Sequence, residues 1–132
     1  MPAVDRPVIR PRPVYLNLVR IRLPLPGLVS ILHRISGAAL FLIGIPLLLL
    51  GLQRSLDVDD SFSSLGTALA QPLVKLVVFG LIWAYLHHFC AGIRFLLLDV
   101  HRGIELQPAR RSSVVVLVVS VALTVLVGIR LW

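Results

Sequence analysis

His87-His88-Phe89-Cys90-Ala91-Gly92-Ile93-Arg94, continued by Phe95-Leu96-Leu97-Leu98 and closed by Asp99, lies inside the second of three long apolar runs. A charged group in hydrocarbon costs roughly 2.5–3.5 kcal/mol on insertion scales, so two histidines and an arginine within one run require a physical reason. The first run is uncharged from Ile35 to Leu52, and the third from Val114 to Ile129. The first is long enough for a helix to cross a bilayer, which takes roughly 17–25 residues, and the third nearly so before its flanking residues are added. These runs predict an all-α integral membrane protein with helices at about 28–52, 72–98 and 113–131, behind a tail of residues 1–27.

Composition agrees with that reading. The chain has 132 residues, of which 58% are hydrophobic and 14% charged, and its mean hydropathy is +0.95. A soluble domain cannot bury so much apolar surface. The net charge of +7 comes from arginines beside the runs rather than along one exposed face, which argues against nucleic acid and for the positive-inside rule. Arg6, Arg10, Arg12, Arg20 and Arg22 mark the tail, and Arg102, Arg110 and Arg111 mark the second loop. Asp57, Asp59 and Asp60 make the first loop acidic. The N-terminus and second loop are therefore expected in the cytoplasm, with the first loop and the C-terminus outside. Prolines at 2, 7, 11, 13, 24 and 26 forbid a regular helix in the tail, and Val14 to Leu23 is expected extended on the membrane or a partner. The tail has neither the pattern of a secretory signal nor that of a transit peptide. The lone cysteine, Cys90, allows no disulfide within the chain.

The polar residues converge on one leaflet. Ser30, His33, Arg34 and Gly37 share a face at the tail end of the first helix, since residues three and four apart are neighbours. His88 lies deeper than Asp99 by about 16 Å at the rise of a helix. Gly80, Ala84, His88 and Gly92 form a slowly drifting stripe in which three of four residues are small. That slot suits a flat prosthetic group with a histidine axial ligand, or else close packing of helices around a hydrogen-bonded histidine. A haem with propionates at one edge needs a deep histidine and shallow cations. His88 supplies the first, and His33, Arg34 and Arg94 the second, unless Arg94 snorkels to the headgroups. His87 points about 100° away from His88. Its stripe runs through Trp83, Ala91 and Phe95, whose rings would crowd a macrocycle. Ser30 and Arg34 either donate to a quinone headgroup at the boundary or serve as a helix cap and an interface anchor. The third helix has no ionisable residue between Val114 and Ile129, which reads as packing and lipid contact. No HExxH, CxxC, GxGxxG or phosphate-loop pattern occurs, and no nucleophile–base pair with an orienting third group, so the chain alone is no enzyme.

A family resemblance sharpens these alternatives. Arg12-Pro13-Val14, Leu16-Asn17-Leu18, Ile21-Arg22-Leu23-Pro24, Ser30-Ile31-Leu32-His33-Arg34-Ile35-Ser36-Gly37 and His88-x3-Gly92-Ile93-Arg94-x4-Asp99 occur in that order. Together, over residues 12 to 111, they resemble the cytochrome b556 membrane-anchor subunits of succinate dehydrogenase. The resemblance implies a three-helix anchor that bundles with a second small hydrophobic anchor subunit. It also implies docking to an iron–sulfur subunit and a flavoprotein subunit in a bacterial inner membrane. Haem b and ubiquinone are the implied cofactor and substrate. His88 matches the haem iron ligand, His33 and Arg34 match residues near the propionates, and Ser30 and Arg34 match the quinone site. Phe95 stands where related chains often have histidine, and His87 where tyrosine is common. A fumarate reductase anchor and a haem-free docking subunit are the competing readings.

Overall fold

A computed structural model describes residues 22–56 and 61–131, with the side chains of Ser61 and Phe62 excepted. The extended tail segment expected over Val14 to Leu23 lies almost wholly outside the described residues. Among the described residues all regular structure is helical, and three helices are long and apolar enough to cross a membrane: Leu25–Leu56, Pro72–Asp99 and Leu106–Leu131.

The first span starts where Pro24 is extended (φ −65°, ψ 153°) and a second proline, Pro26, sits in the first turn, where its missing N–H is no loss. It comprises α1 (Leu25–Ala39), a π-helical turn (Leu40–Gly44) and α2 (Ile45–Leu56). The sequence predicts a distortion here because Pro46 removes one backbone bond and crowds the carbonyl four residues back. The widened turn immediately before Pro46 is the form it takes. The whole span of 32 residues is about 48 Å long at 1.5 Å per residue, against a hydrocarbon core of about 30 Å. Its N-terminal turns therefore have length to spare for a polar boundary.

A helix α3 (Ser61–Ala70) occupies much of what reads in sequence as the first loop. At ten residues it is too short to cross, and Leu65 and Leu69, four apart, lie on one face. After Gln71, α4 runs Pro72–Asp99 and ends at Val100. The N–H of Arg102 bonds the Leu97 carbonyl and that of His101 the Leu98 carbonyl, both at 2.9 Å. His101 holds the left-handed conformation that such a cap requires (φ 60°). Gly103 is also left-handed (φ 78°), and the chain turns into α5 (Leu106–Leu131). This last helix starts seven residues before the expected 113, so Arg110 and Arg111 stand on its first turns rather than in a loop.

α1, α4 and α5 pack on one another. The buried apolar centre is small: Val29 from α1, Ala84 and Ala91 from α4, and Val116 from α5. Most large apolar side chains point outward instead, as expected when lipid or a partner is the solvent. α5 meets its neighbours with Ser113, Val116, Ser120, Thr124 and Gly128, all buried at three- and four-residue spacing. At Gly128 the α4 residue Phe79 comes so near that a Cβ would stand 2.7 Å from its ring.

Candidate functional site

The site is built where α4 crosses α1. His88 is half-buried, and its Nδ1 lies 3.0 Å from the main-chain oxygen of His33. A carbonyl can only accept, so Nδ1 carries the ring proton and donates it there. Nε2 of the neutral ring is then left with a free lone pair. Ser36 is buried and donates from Oγ to the same oxygen at 2.9 Å, with its Oγ 3.3 Å from His88 Nδ1. The ring of His33 lies flat on that of His88, with centroids 4.1 Å apart and planes 9° off parallel. Phe95 also tilts against the His33 ring, at 5.1 Å.

Room for the His88 ring comes from the facing helix. A Cβ on Gly37 would stand 2.7 Å from His88 Cε1, closer than real side chains approach. The stripe on α4 contributes less than its sequence suggests. Gly92 would bring a Cβ no nearer than 3.8 Å to His33 Nε2, and Gly80 has nothing within 4 Å.

His87 takes the opposite course. It is 0% exposed and faces the interior formed by this chain's own three helices. Trp83 stacks on it at 5.2 Å, Ser120 Oγ of α5 lies 3.5 Å from its Nδ1, and its ring faces the Val29 main chain on α1. Its Nε2 is buried without a hydrogen bond.

Arg94 does not snorkel outward. It is buried at 5% exposure, with Nε donating to Ser112 Oγ at 3.0 Å and a longer contact of 3.5 Å to the Ala109 carbonyl, both on α5. Its guanidinium lies 5.4 Å from the Phe95 ring centre. Arg34 is exposed on α1 and Ser30 is half-buried one turn before it. The structure thus brings His33 and His88 together, with Ser30 and Arg34 on adjoining turns, and commits Arg94 to α5. Among the described residues no cluster of three or more histidine, cysteine or acidic side chains could hold a bare metal ion.

Two polar contributors are not evident from sequence. Ser36 and Ser120 each sit where a helical serine would be expected to bond only its own helix. Both do so, and both also meet a histidine of α4. The signal for Ser36 is its place in Ser36-Gly37. For Ser120 it is the small-residue spacing with Thr124 and Gly128.

Comparison with known proteins adds a second line of evidence. The profile of the succinate dehydrogenase/fumarate reductase transmembrane subunit matches residues 9–127. The succinate dehydrogenase cytochrome b556 subunit of Coxiella burnetii is 38% identical over 92% of this chain and 97% of its own. That of Paracoccus denitrificans is 34% identical over 87% of this chain and 88% of its own. The mitochondrial cytochrome b560 subunit of Sus scrofa is 31% identical over 83% of this chain and 66% of its own.

Proposed function

The chain belongs to the succinate dehydrogenase/fumarate reductase transmembrane-subunit family, and from that premise we propose that it is the haem b-binding anchor of a succinate:ubiquinone oxidoreductase. It would help form the quinone site and carry electrons from succinate oxidation toward ubiquinone. Direction is set by the potentials of the partners. Succinate oxidation is preferred to fumarate reduction because the relatives are named succinate dehydrogenase subunits.

The carrying observation is the His88 Nδ1–H bond to the His33 carbonyl. Histidines that ligate metals commonly donate their other ring N–H to a carbonyl or carboxylate, which fixes tautomer and orientation. The same bond leaves Nε2 of His88 free to ligate, so this residue fits haem iron. His87 fits poorly, since three helices of its own chain enclose it and no macrocycle could reach Nε2 without parting them. Haem b, when bound, accepts and returns one electron at a time. His88 would hold the haem iron, Gly37 gives the His88 ring its clearance, and His33 with Arg34 would offer donors to the propionates. Arg94 serves α4–α5 packing. A second small hydrophobic anchor would complete the haem site, with iron–sulfur and flavoprotein subunits on the cytoplasmic face of a bacterial inner membrane.

Ser30 and Arg34 are assigned to the quinone headgroup, whose carbonyls need donors at the membrane boundary. Ser30→Ala and Arg34→Leu are each expected to lower quinone reduction, while succinate oxidation by a soluble artificial acceptor persists. A hydrogen bond from a charged group is worth about 1.5–3 kcal/mol, so Arg34→Leu should cost roughly ten- to a hundredfold. Parallel loss of both activities would mean broken assembly and would defeat the assignment.

The orientation rests on the arginines of the tail and the second loop. Cysteines introduced at Arg54 and at Arg110 should react with an impermeant reagent from opposite sides, Arg110 from the cytoplasm. Labelling of both from one side would refute it.

A further inference from the structure

We propose that His87, through Ser120, is a positioning residue that sets the rotation of α4 and thereby the strength of the His88 Nδ1–H bond to His33. The inference rests on His88 being the haem ligand. His87 is fully buried among the helices of its own chain. Such a residue in hydrocarbon is costly, and the function proposed above leaves it without a role. Its surroundings point to one. Trp83 covers one face of the ring at 5.2 Å, Ser120 of α5 meets Nδ1 at 3.5 Å, and the Val29 main chain of α1 faces it. His88, the next residue, grips α1 one turn further along, at the His33 carbonyl. Neighbouring imidazoles on one helix cannot turn independently of its axis. What pins His87 between α1 and α5 therefore pins His88 against α1.

The lever is short enough to matter. A side-chain tip stands about 5–6 Å from the helix axis, so a rotation of about 10° moves it roughly 1 Å. That displacement takes a hydrogen bond of 3.0 Å out of useful range. A weaker Nδ1–H bond makes the imidazole a poorer donor to iron, which favours the reduced state and raises the midpoint potential.

The test uses the assembled, haem-loaded complex and reads the haem midpoint potential and the low-spin electron paramagnetic resonance g values. Ser120→Ala, which removes the α5 hydroxyl that meets His87, is expected to raise the potential and shift the g values. Ser120→Thr, which keeps the hydroxyl, should restore both toward wild type. His87→Phe keeps ring volume and should shift them in the same sense. The double variant should add little to either single change, because both act through one contact. Wild-type values in Ser120→Ala, equal shifts in the Ala and Thr variants, or additive shifts would each overturn the proposal. If His87→Phe does not assemble, the Ala/Thr pair at 120 decides alone. The underlying ligand assignment fails separately, by His88→Leu retaining the low-spin spectrum.

Discussion

His88→Leu is expected to abolish the low-spin b-type spectrum of the assembled complex, while His87→Leu keeps a six-coordinate signal. The two residues are adjacent on one helix and differ in depth by only about 1.5 Å, so depth cannot separate them. Their surroundings do. His88 is half-buried on the α1 side, with Nδ1 fixed as the donor and Nε2 free, whereas His87 is sealed beneath Trp83 among three helices. Removing an axial ligand changes the coordination of haem iron or empties the site, which an absorbance spectrum of the dithionite-reduced complex registers directly. His88→Leu should therefore leave little b-type α band, or a high-spin residue of it. The reverse pattern would make His87 the ligand. A normal spectrum in both variants would place the haem elsewhere. Wild-type complex lacking the band would reduce the chain to a docking subunit.

Gly37→Ala should come close to the ligand substitution in effect, although the residue touches no cofactor. Its Cβ would stand 2.7 Å from His88 Cε1, and ordinary contact needs about 0.7 Å more. Ser36 precedes it and His33 lies one turn back, so α1 cannot yield there without moving the carbonyl that holds His88. The imidazole would have to give way and stretch its bond to that carbonyl. Loss of an outer hydrogen bond of this kind costs metal sites about 10–100-fold in affinity. Haem content in Gly37→Ala is expected to fall accordingly, measured by pyridine haemochrome per flavin. Gly51→Ala, on the same span with nothing within 4 Å of its Cβ, is the control and should keep full occupancy. Equal haem content in the two variants would show that the notch is not needed.

How far the sequence carried this reading differs from residue to residue. Hydropathy announces the three spans because an apolar stretch of this length has few other uses. α3 escapes the same test, since a ten-residue helix among serines is too short for it and its apolar spacing is slight. His88 was separable from His87 by the sizes of the residues four away, but the clearance comes mainly from Gly37 on another helix. Spacing along one helix cannot reveal what the facing helix leaves open. Arg94 shows the same limit. Its chemistry allowed an anion or the headgroups, and only the crossing of α4 and α5 brought Ser112 within 3.0 Å. Ser36 and Ser120 were the least visible, because a serine bonded to its own helix looks identical whether or not a histidine waits across the interface.

Those same hydroxyls bear on how the third span reaches the bilayer. Ser113 bonds the Ala109 carbonyl at 2.7 Å, Ser120 that of Leu117 at 3.1 Å, and Thr124 that of Ser120 at 2.7 Å. Each donor is thus quenched within α5 itself, before any neighbour is present. The insertion machinery meets a helix that presents as uniformly greasy, with no bare hydroxyl to penalise its entry. Once in the membrane, the same oxygens still have lone pairs, and the face that carries them is narrow enough for α4 to lie close. Entry and assembly therefore make no competing demands on α5, and the polar stripe that recognises α4 stays silent until α4 arrives.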